Sequence, residues 1–491
     1  MNGESVRAMA SRLGIYSCIA KRNHAQTRGA TAPVKYSRSA THQRLHKIPA
    51  LRFETQTLTS SSGLVLLQAL WGRLRLKDRL RVCFDHLPGQ PIFGPHVIIL
   101  LLVVHLMLGY RELRDSRYYR DDPLVHRLLG LRRLPDVGTI SRALAQADAR
   151  SVAKLRALSR QLVLERLQAL QPARLTLDFD GSVLSTQRAA EGSAVGYNKK
   201  KKGARSYYPL FCTVAQTGQV LDFAHRPGNV HDSREAAAFM RSCLEAVQAV
   251  LPAATLEVRL DSAFFSEALV TFLEDRGVEF TISVPFERFV ELKNLIERRA
   301  RWRRISATLG YFETRWNPQS WASAARFVFI RQLVAQRSKE PVQLDLFIPQ
   351  AAGVEFKVIV TNKVVGPATV LAFHNGRGAQ ETLFGQLKSQ CHVDYVPMRR
   401  LIANQLFLLA GILTHNLGRE WQMTLTGPAR ATTPKRAPYW VFHELQTLRR
   451  TLLLRAGRLT RPKGELTLTV SANQAVREEL HQHLAALSAA A

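Results

Sequence analysis

From Gly63 to about Leu170, apolar residues recur at three- and four-residue spacing, as at Leu155, Leu158, Leu162 and Leu167, which predicts helices with one buried face. The longest unbroken apolar run, Val97 to Leu108, has twelve residues including His105. That is short of the ~20 needed to span a bilayer and predicts a buried helix. Asp136, after Leu134-Pro135, is placed to cap a helix carrying Arg142. The short-helix rhythm around it fits a DNA-reading unit as well as a plain bundle.

At Arg174 the period changes. Leu175, Leu177 and Phe179 alternate with Thr176, Asp178 and Asp180, which predicts a strand carrying both carboxylates on one face. YPLFCTVA and QVLDFAH follow, joined at Gln216-Thr217-Gly218 as a hairpin. Next come a helix capped by Asp232-Ser233, a strand ending at Asp261, the helix SEALVTFLEDRG and the strand VEFTISVP. Three strands, two of them a tight hairpin, precede the first helix, as in few α/β folds; the ribonuclease H-like fold is one. Residues 171–299 are therefore expected to form the first part of such a core.

Residues 300–365 hold Trp302, Trp316 and Trp321 and the runs RFVFIRQLV, LDLFIP and FKVIVTN, which predict a β-rich insertion. Helical texture returns in HNGRGAQETLFGQLK and LIANQLFLLAGILTHNL, so 366–426 are read as the second part of the core. The resulting division is a basic arm over 1–60, a helical DNA-binding region over 61–170, the interrupted α/β core, and a basic segment over 427–491. In the last, GELTLTVS predicts one more strand.

Charge narrows the choice of partner. The chain has 491 residues with 69 Lys+Arg against 38 Asp+Glu, a formal net charge of +31, and 46% hydrophobic residues. The hydrophobic fraction excludes disorder as the main state, and the charge points to a polyanion. Residues 1–60 hold ten Lys/Arg against Glu4 and Glu54, and Gly427 to Lys463 hold nine against Glu444. Five scattered cysteines without a C-x-x-C pair indicate neither a disulfide framework nor structural zinc, and fit a reducing cytoplasm. With no spanning run, the expected partner is nucleic acid, with no membrane and no small-molecule substrate.

A two-metal nuclease needs carboxylates converging on a pair of ions ~3.5–4 Å apart. Asp180 and Asp261 end the first and fourth strands, neighbours in a ribonuclease H-like sheet, and Glu381 is the candidate third carboxylate from a helix packed across it. Taken singly, each Asp also fits a turn or a helix cap. His374, Arg377, Glu381 and Lys388 fall within an arc of about 60° at ~100° per residue, provided one helix runs through Gly376 and Gly378. A carboxylate flanked by bases suits a metal ligand beside a phosphate backbone. Lys199, Lys200, Lys201, Lys202 and Arg205, in the loop after the first strand, are candidate phosphate contacts.

The motifs LDFDGS, GYNKKKKGARSYYPL, RLDSAFFSEAL and HNGRGAQETLFGQLK, with the upstream PDVGTISRAL region, resemble the DDE-type insertion-sequence transposases over residues about 95 to 470. The specific resemblance is to the family numbered thirteen-eighty. The helix is similar to the Y-R-E-K signature of those enzymes, with Arg377, Glu381 and Lys388 in step and His374 where the signature has Tyr. The family's Asp-Gly-Thr-like turn matches Asp180-Gly181-Ser182 better than it matches Asp178.

The resemblance implies that Asp180, Asp261 and Glu381 are catalytic and bind two Mg²⁺, with Mn²⁺ able to substitute. It implies cleavage at the terminal inverted repeats, joining of the freed 3′-hydroxyls to target DNA, a homodimer in the DNA complex, and a bacterial, nucleoid-associated setting. In hairpin-forming relatives a tryptophan of the insertion stacks on a flipped base, a role open to Trp316 or Trp321 against ordinary core packing. Two alternatives remain at this point: an inactive or domesticated DNA-binding protein, and a ribonuclease H-like nuclease outside transposition.

Overall fold

The computed structural model describes residues 50–54, 56–87, 93–186, 189–196, 198, 201–230, 235–333 and 353–488. The elements below belong to the compact unit Gln56–Ala491. The expected basic arm falls largely outside the described residues, as do Lys199, Lys200, LDLFIP and the Asp232-Ser233 cap. Within residues 56–60, assigned to the arm, Leu58–Thr59 pairs with Gly457–Arg458 as a short strand.

The helical period at the start becomes α1 (Leu64–Arg73), α2 (Leu76–Cys83), α3 (Pro95–Met107), α4 (Pro123–Leu129), α5 (Val137–Gln146) and α6 (Ala149–Leu170). Three acids start these helices by satisfying otherwise unbonded backbone N–H groups. Asp122 accepts from Leu124 and Val125, Asp136 from Thr139, and Asp148 from Ser151. From Val97 to Met107, every residue of α3 is buried, so the apolar run is a core helix.

The alternation at Arg174 builds β1 (Arg174–Gly181), followed by the hairpin β2 (Leu210–Val214) and β3 (Gln219–Ala224). Then come α7 (Ala236–Val250), β4 (Thr255–Leu260), α8 (Glu267–Asp275), β5 (Glu279–Ser283) and α9 (Val290–Glu297). The expected insertion supplies β6 (Arg303–Arg304), β7 (Leu309–Trp316), β8 (Ala325–Leu333) and β9 (Val354–Thr361). The nine-stranded sheet runs β6-β7-β8-β9-β5-β4-β1-β2-β3. β4 lies parallel to both β1 and β5, and β2 antiparallel to β1 and β3. The stretch β3-β2-β1-β4-β5 is consistent with the ribonuclease H-like arrangement. The insertion strands extend this sheet, because β9 pairs antiparallel with β5, Ile359 opposite Ser283.

Three helices complete the frame: α10 (Pro367–Asn375), α11 (Gly378–Gln390) and α12 (Leu401–Leu425). By length and composition α12 could cross a membrane, yet 83% of its apolar window is buried inside the protein. One apolar cluster joins α1–α5 and the first half of α6 to α11 and α12; a second fills the space between the sheet and α7–α9. The change of pattern near residue 170 is thus not a seam, since α6 contributes Leu155 to one cluster and Leu167 to the other. Near the end, Gly457–Thr460 and Thr467–Val470 form a hairpin where GELTLTVS predicts a strand, and a last helix, α13 (Gln474–Ser488), follows.

Candidate active site

Strand parity divides the central sheet into unlike faces. Leu175, Leu177 and Phe179 of β1, Leu256, Val258 and Leu260 of β4, and Phe280 and Ile282 of β5 enter the apolar cluster under α7–α9. The opposite face carries Thr176, Asp178 and Asp180, then Glu257, Arg259 and Asp261, then Thr281 and Ser283. Contacts from α10, α11 and the segment 429–439 cover it. Gln380 donates to the Asp178 carbonyl, Arg259 to those of Phe373 and Lys435, and Tyr439 N–H to that of Gln216.

Two ion clusters fill this polar face. At its lower end Glu257, fully buried, accepts from Arg174, Lys363, Arg436 and the Thr176 hydroxyl. Burial alone would raise its pKa, but Arg436, Lys363 and Thr176 outweigh that and hold it well below the usual carboxylate range. Above it, Arg259 makes a two-pronged pair with Asp178, Nε to Oδ1 at 2.5 Å and Nη2 to Oδ2 at 2.7 Å, both residues buried.

Asp178 pairs in register with Arg259 across the parallel strands β1 and β4. Two residues further along the chain stand Asp180, on β1, and Asp261, just past the end of β4, so both lie toward the C-terminal ends of these parallel strands. Asp261 caps the turn Ser262–Phe264 by accepting from Ala263 N–H. Asp180 pairs with the Arg377 guanidinium at 3.0 Å, both side chains half-buried. Of the two acids on β1, then, Asp178 is locked inside by Arg259, and Asp180 faces the helix that carries Glu381.

The single-helix arc expected for His374, Arg377, Glu381 and Lys388 is corrected at its first member. α10 ends at Asn375 and α11 begins at Gly378, joined by tight i→i−3 bonds: Arg377 N–H to His374, Ala379 to Gly376 and Gln380 to Arg377. Gly376 is required by close approach, since a Cβ there would lie 2.0 Å from the Lys435 carbonyl oxygen and 2.1 Å from Arg259 Nη1. His374 is buried, bonded through Nε2 to Ser283 Oγ at 2.8 Å and through Nδ1 to Thr281 Oγ1 at 3.0 Å. Desolvation first, then Lys357, Arg377 and Arg259, push its pKa well below the ordinary value. Both ring nitrogens are thus engaged inside the protein, away from the surface where the expected phosphate contact would lie. Arg377, Glu381 and Lys388 remain on one side of α11, with Glu381 exposed and Lys388 half-buried.

Other expected contacts divide in the same way. Lys201, Lys202 and Arg205 are all exposed, and Arg205 also donates from Nε to Ser193 Oγ within a small sheet of strands at 184–185, 194–195 and 205–207. Trp316 packs edge-to-face on Phe289 and Phe327, and Trp321 lies against Phe265 with centroids 4.9 Å apart, both partly buried against the apolar cluster. In the basic C-terminal segment Arg436 serves Glu257, and Arg449 is buried against the carbonyls of Leu106, Met107 and Gln390.

Sequence reading missed two residues. Arg259 shares strand parity with Asp261, the only signal available for it. Lys357 donates to Asn375 Oδ1 at 3.0 Å, and desolvation first and Arg377 second lower its pKa while Glu381 opposes, so it stands beside the Arg377–Glu381 turn.

Carboxylate oxygens at a sheet edge are the ligand type a hard divalent cation takes, so Asp180, Asp261 and Glu381 fit such an ion in kind. Among the described residues no three His, Cys, Asp or Glu side chains are yet gathered closely enough to hold one, and Arg377 occupies Asp180.

Among solved structures, the chain is similar to the piggyBac transposase synaptic complex with hairpin DNA, at TM-score 0.41 and 10% identity over 80% of each chain. It is also similar to the Mos1 transposase paired-end complex with the left transposon end, at TM-score 0.17 and 11% identity over 39% of this chain and 60% of that one. No curated protein matches by sequence. The model of the family described as transposase DDE domain, group 1, matches residues 43–491. Spanning the sheet, the Arg377–Glu381 helix and the C-terminal segment alike, that match places the chain in this family: it is a DDE-domain transposase.

Proposed function

We propose that this transposase binds the terminal inverted repeats of its own insertion sequence, hydrolyses phosphodiester bonds there and joins the freed 3′-hydroxyls to target DNA, as a member of the family numbered thirteen-eighty. The observation that carries the reading is that Asp180 and Asp261 each follow by two residues the in-register pair Asp178–Arg259 of adjacent parallel strands, with Arg377, at the start of the helix bearing Glu381, paired to Asp180. Asp180, Asp261 and Glu381 are the catalytic carboxylates and would hold two Mg²⁺ or Mn²⁺. Bound there, the ions supply activation of the attacking oxygen and stabilisation of the leaving one.

The chain's own groups supply position. Arg377, Lys388 and the exposed Lys201 and Lys202 bind backbone phosphates, as do Lys199 and Lys200, which lie outside the described residues; Arg377 must exchange Asp180 for phosphate when DNA enters. Helix α5, with Arg142 exposed, contributes DNA contacts from the helical region. Two copies act on two ends, in a reducing cytoplasm where the buried thiols Cys83, Cys212, Cys243 and Cys391 stay free.

Asp261→Ala tests the reading. The variant should lose Mg²⁺-dependent cleavage of a duplex carrying the transposon end while binding it with unchanged affinity; cleavage at the wild-type rate would overturn the assignment.

A further inference from the structure

We infer that Arg259 is a positioning residue for strand cleavage, acting through the three backbone segments that carry Asp180, Asp261 and Glu381; the inference rests on the function proposed above. Arg259 is fully buried, so it touches neither DNA nor solvent. Its Nε and Nη2 hold Asp178, two residues before Asp180 on β1, and Arg259 itself stands two residues before Asp261 on β4. Its Nη1 donates to the Phe373 carbonyl at 3.1 Å, in the last turn of α10, and to the Lys435 carbonyl at 2.8 Å. The Phe373 ring lies under the guanidinium at 5.3 Å. From that turn the chain passes through Gly376 directly into Arg377 and Glu381. One rigid, planar fork thus sets the strand-to-strand level of the two aspartates and the seat of the helix bearing the glutamate.

Stability alone does not call for this arrangement. A buried ion pair can commonly be replaced by apolar side chains of similar volume without loss of stability, whereas removing one partner leaves a costly unpaired charge. An apolar pair would fill the space between β1 and β4 but would bond neither Phe373 nor Lys435. Since displacements of about 1 Å from reactive geometry can cost ~100-fold in rate, the fork's contribution should appear in turnover rather than in folding or DNA affinity.

The experiment compares the full-length wild type with Asp178→Leu/Arg259→Met, Arg259→Lys and Asp261→Ala. Thermal unfolding, affinity for an end-containing duplex, and the Mg²⁺-dependent cleavage rate at saturating DNA are measured for each. The double variant is expected to fold and bind DNA like the wild type yet cleave on the order of 100-fold more slowly. Arg259→Lys, which keeps the charge but not the fork, is expected to recover part of that loss with affinity unchanged. Wild-type cleavage by the double variant overturns the inference. If the double variant does not fold, Arg259→Lys decides: a rate loss of tenfold or more at unchanged affinity supports positioning, and a wild-type rate refutes it. Should Asp261→Ala cut as fast as the wild type, the proposed function fails instead, whatever the Arg259 variants do.

Discussion

The two faces of the central sheet are both largely covered and built on different terms. Behind β1, β4 and β5, stabilisation is spread over many apolar contacts, each fully buried Leu, Val or Phe contributing ~1.5–3 kcal/mol. In front, it is concentrated in a few ions whose worth depends on every partner being present. The apolar face is therefore graded, losing stability in proportion to the atoms removed. The polar face is conditional: it tolerates little subtraction, and in return it fixes directions that an apolar layer leaves loose.

The sharpest break of this contrast is Glu257→Ala. It leaves the half-buried Arg436 without its carboxylate, and Lys363 and Arg174 with only the part-exposed Glu279, and should cost ~3–5 kcal/mol of unfolding free energy in a denaturant titration. A loss below about 1 kcal/mol would mean that the cluster is a solvated surface network after all.

On the apolar face, Leu177→Ala, one residue from Asp178 but pointing the other way, should cost ~2–5 kcal/mol, whereas Leu177→Met should stay under ~1.5 kcal/mol. DNA cleavage by both folded variants should track the wild type. A turnover defect at full folding would show that the apolar face also sets the geometry of the catalytic edge, and would erase the distinction drawn between the faces.

Acid separates them at smaller amplitude. His374 is neutral when folded, with its pKa lowered by desolvation and by Lys357, Arg377 and Arg259; in the unfolded chain it takes a proton below about pH 6.5. Its contribution is therefore present above about pH 6.5 and lost as pH falls toward the depressed folded value. Between pH 6 and 5 the wild type should lose about 1 kcal/mol more than His374→Gln, measured by unfolding at both pH values. Equal slopes for the two proteins would place the ring in contact with solvent.

How far the sequence could be read follows the same division. Alternation at Leu175, Leu177 and Phe179 announces β1, and the same parity shows that Asp178 and Asp180 share a face. Which of them is shut in cannot be read locally, because the residue that closes off Asp178 is Arg259, 81 positions away. The arc from His374 to Lys388 is broken at the turn between α10 and α11; Gly376 and Gly378 are the local sign of that break, whereas the close approach of the Lys435 carbonyl that excludes any larger residue at Gly376 leaves no sign in the sequence. Strands of two or three residues at 184–185, 194–195 and 205–207 are too short to alternate visibly. The insertion's strands are legible, but their attachment to β5 is not, since periodicity carries face and length without saying which edge is paired.

Lys357 offers the mildest test, at the boundary where the charged face meets the DNA side. It comes from β9, a strand of the insertion, and stands beside the Arg377–Glu381 turn with its ammonium on Asn375 Oδ1. Lys357 takes no part in the buried ion clusters, so its loss should leave stability unchanged within about 0.5 kcal/mol, and a role at backbone phosphate is what the next measurements test. Lys357→Ala should slow cleavage about fivefold, equivalent to about 1 kcal/mol, and reduce the slope of log affinity against log salt by about 0.9. Lys357→Arg should restore both, because a phosphate contact needs only a cation at that place. An unfolding defect without a change in salt slope would instead assign Lys357 to the seat of α10, and would move the boundary between framework and DNA surface outward from Asn375.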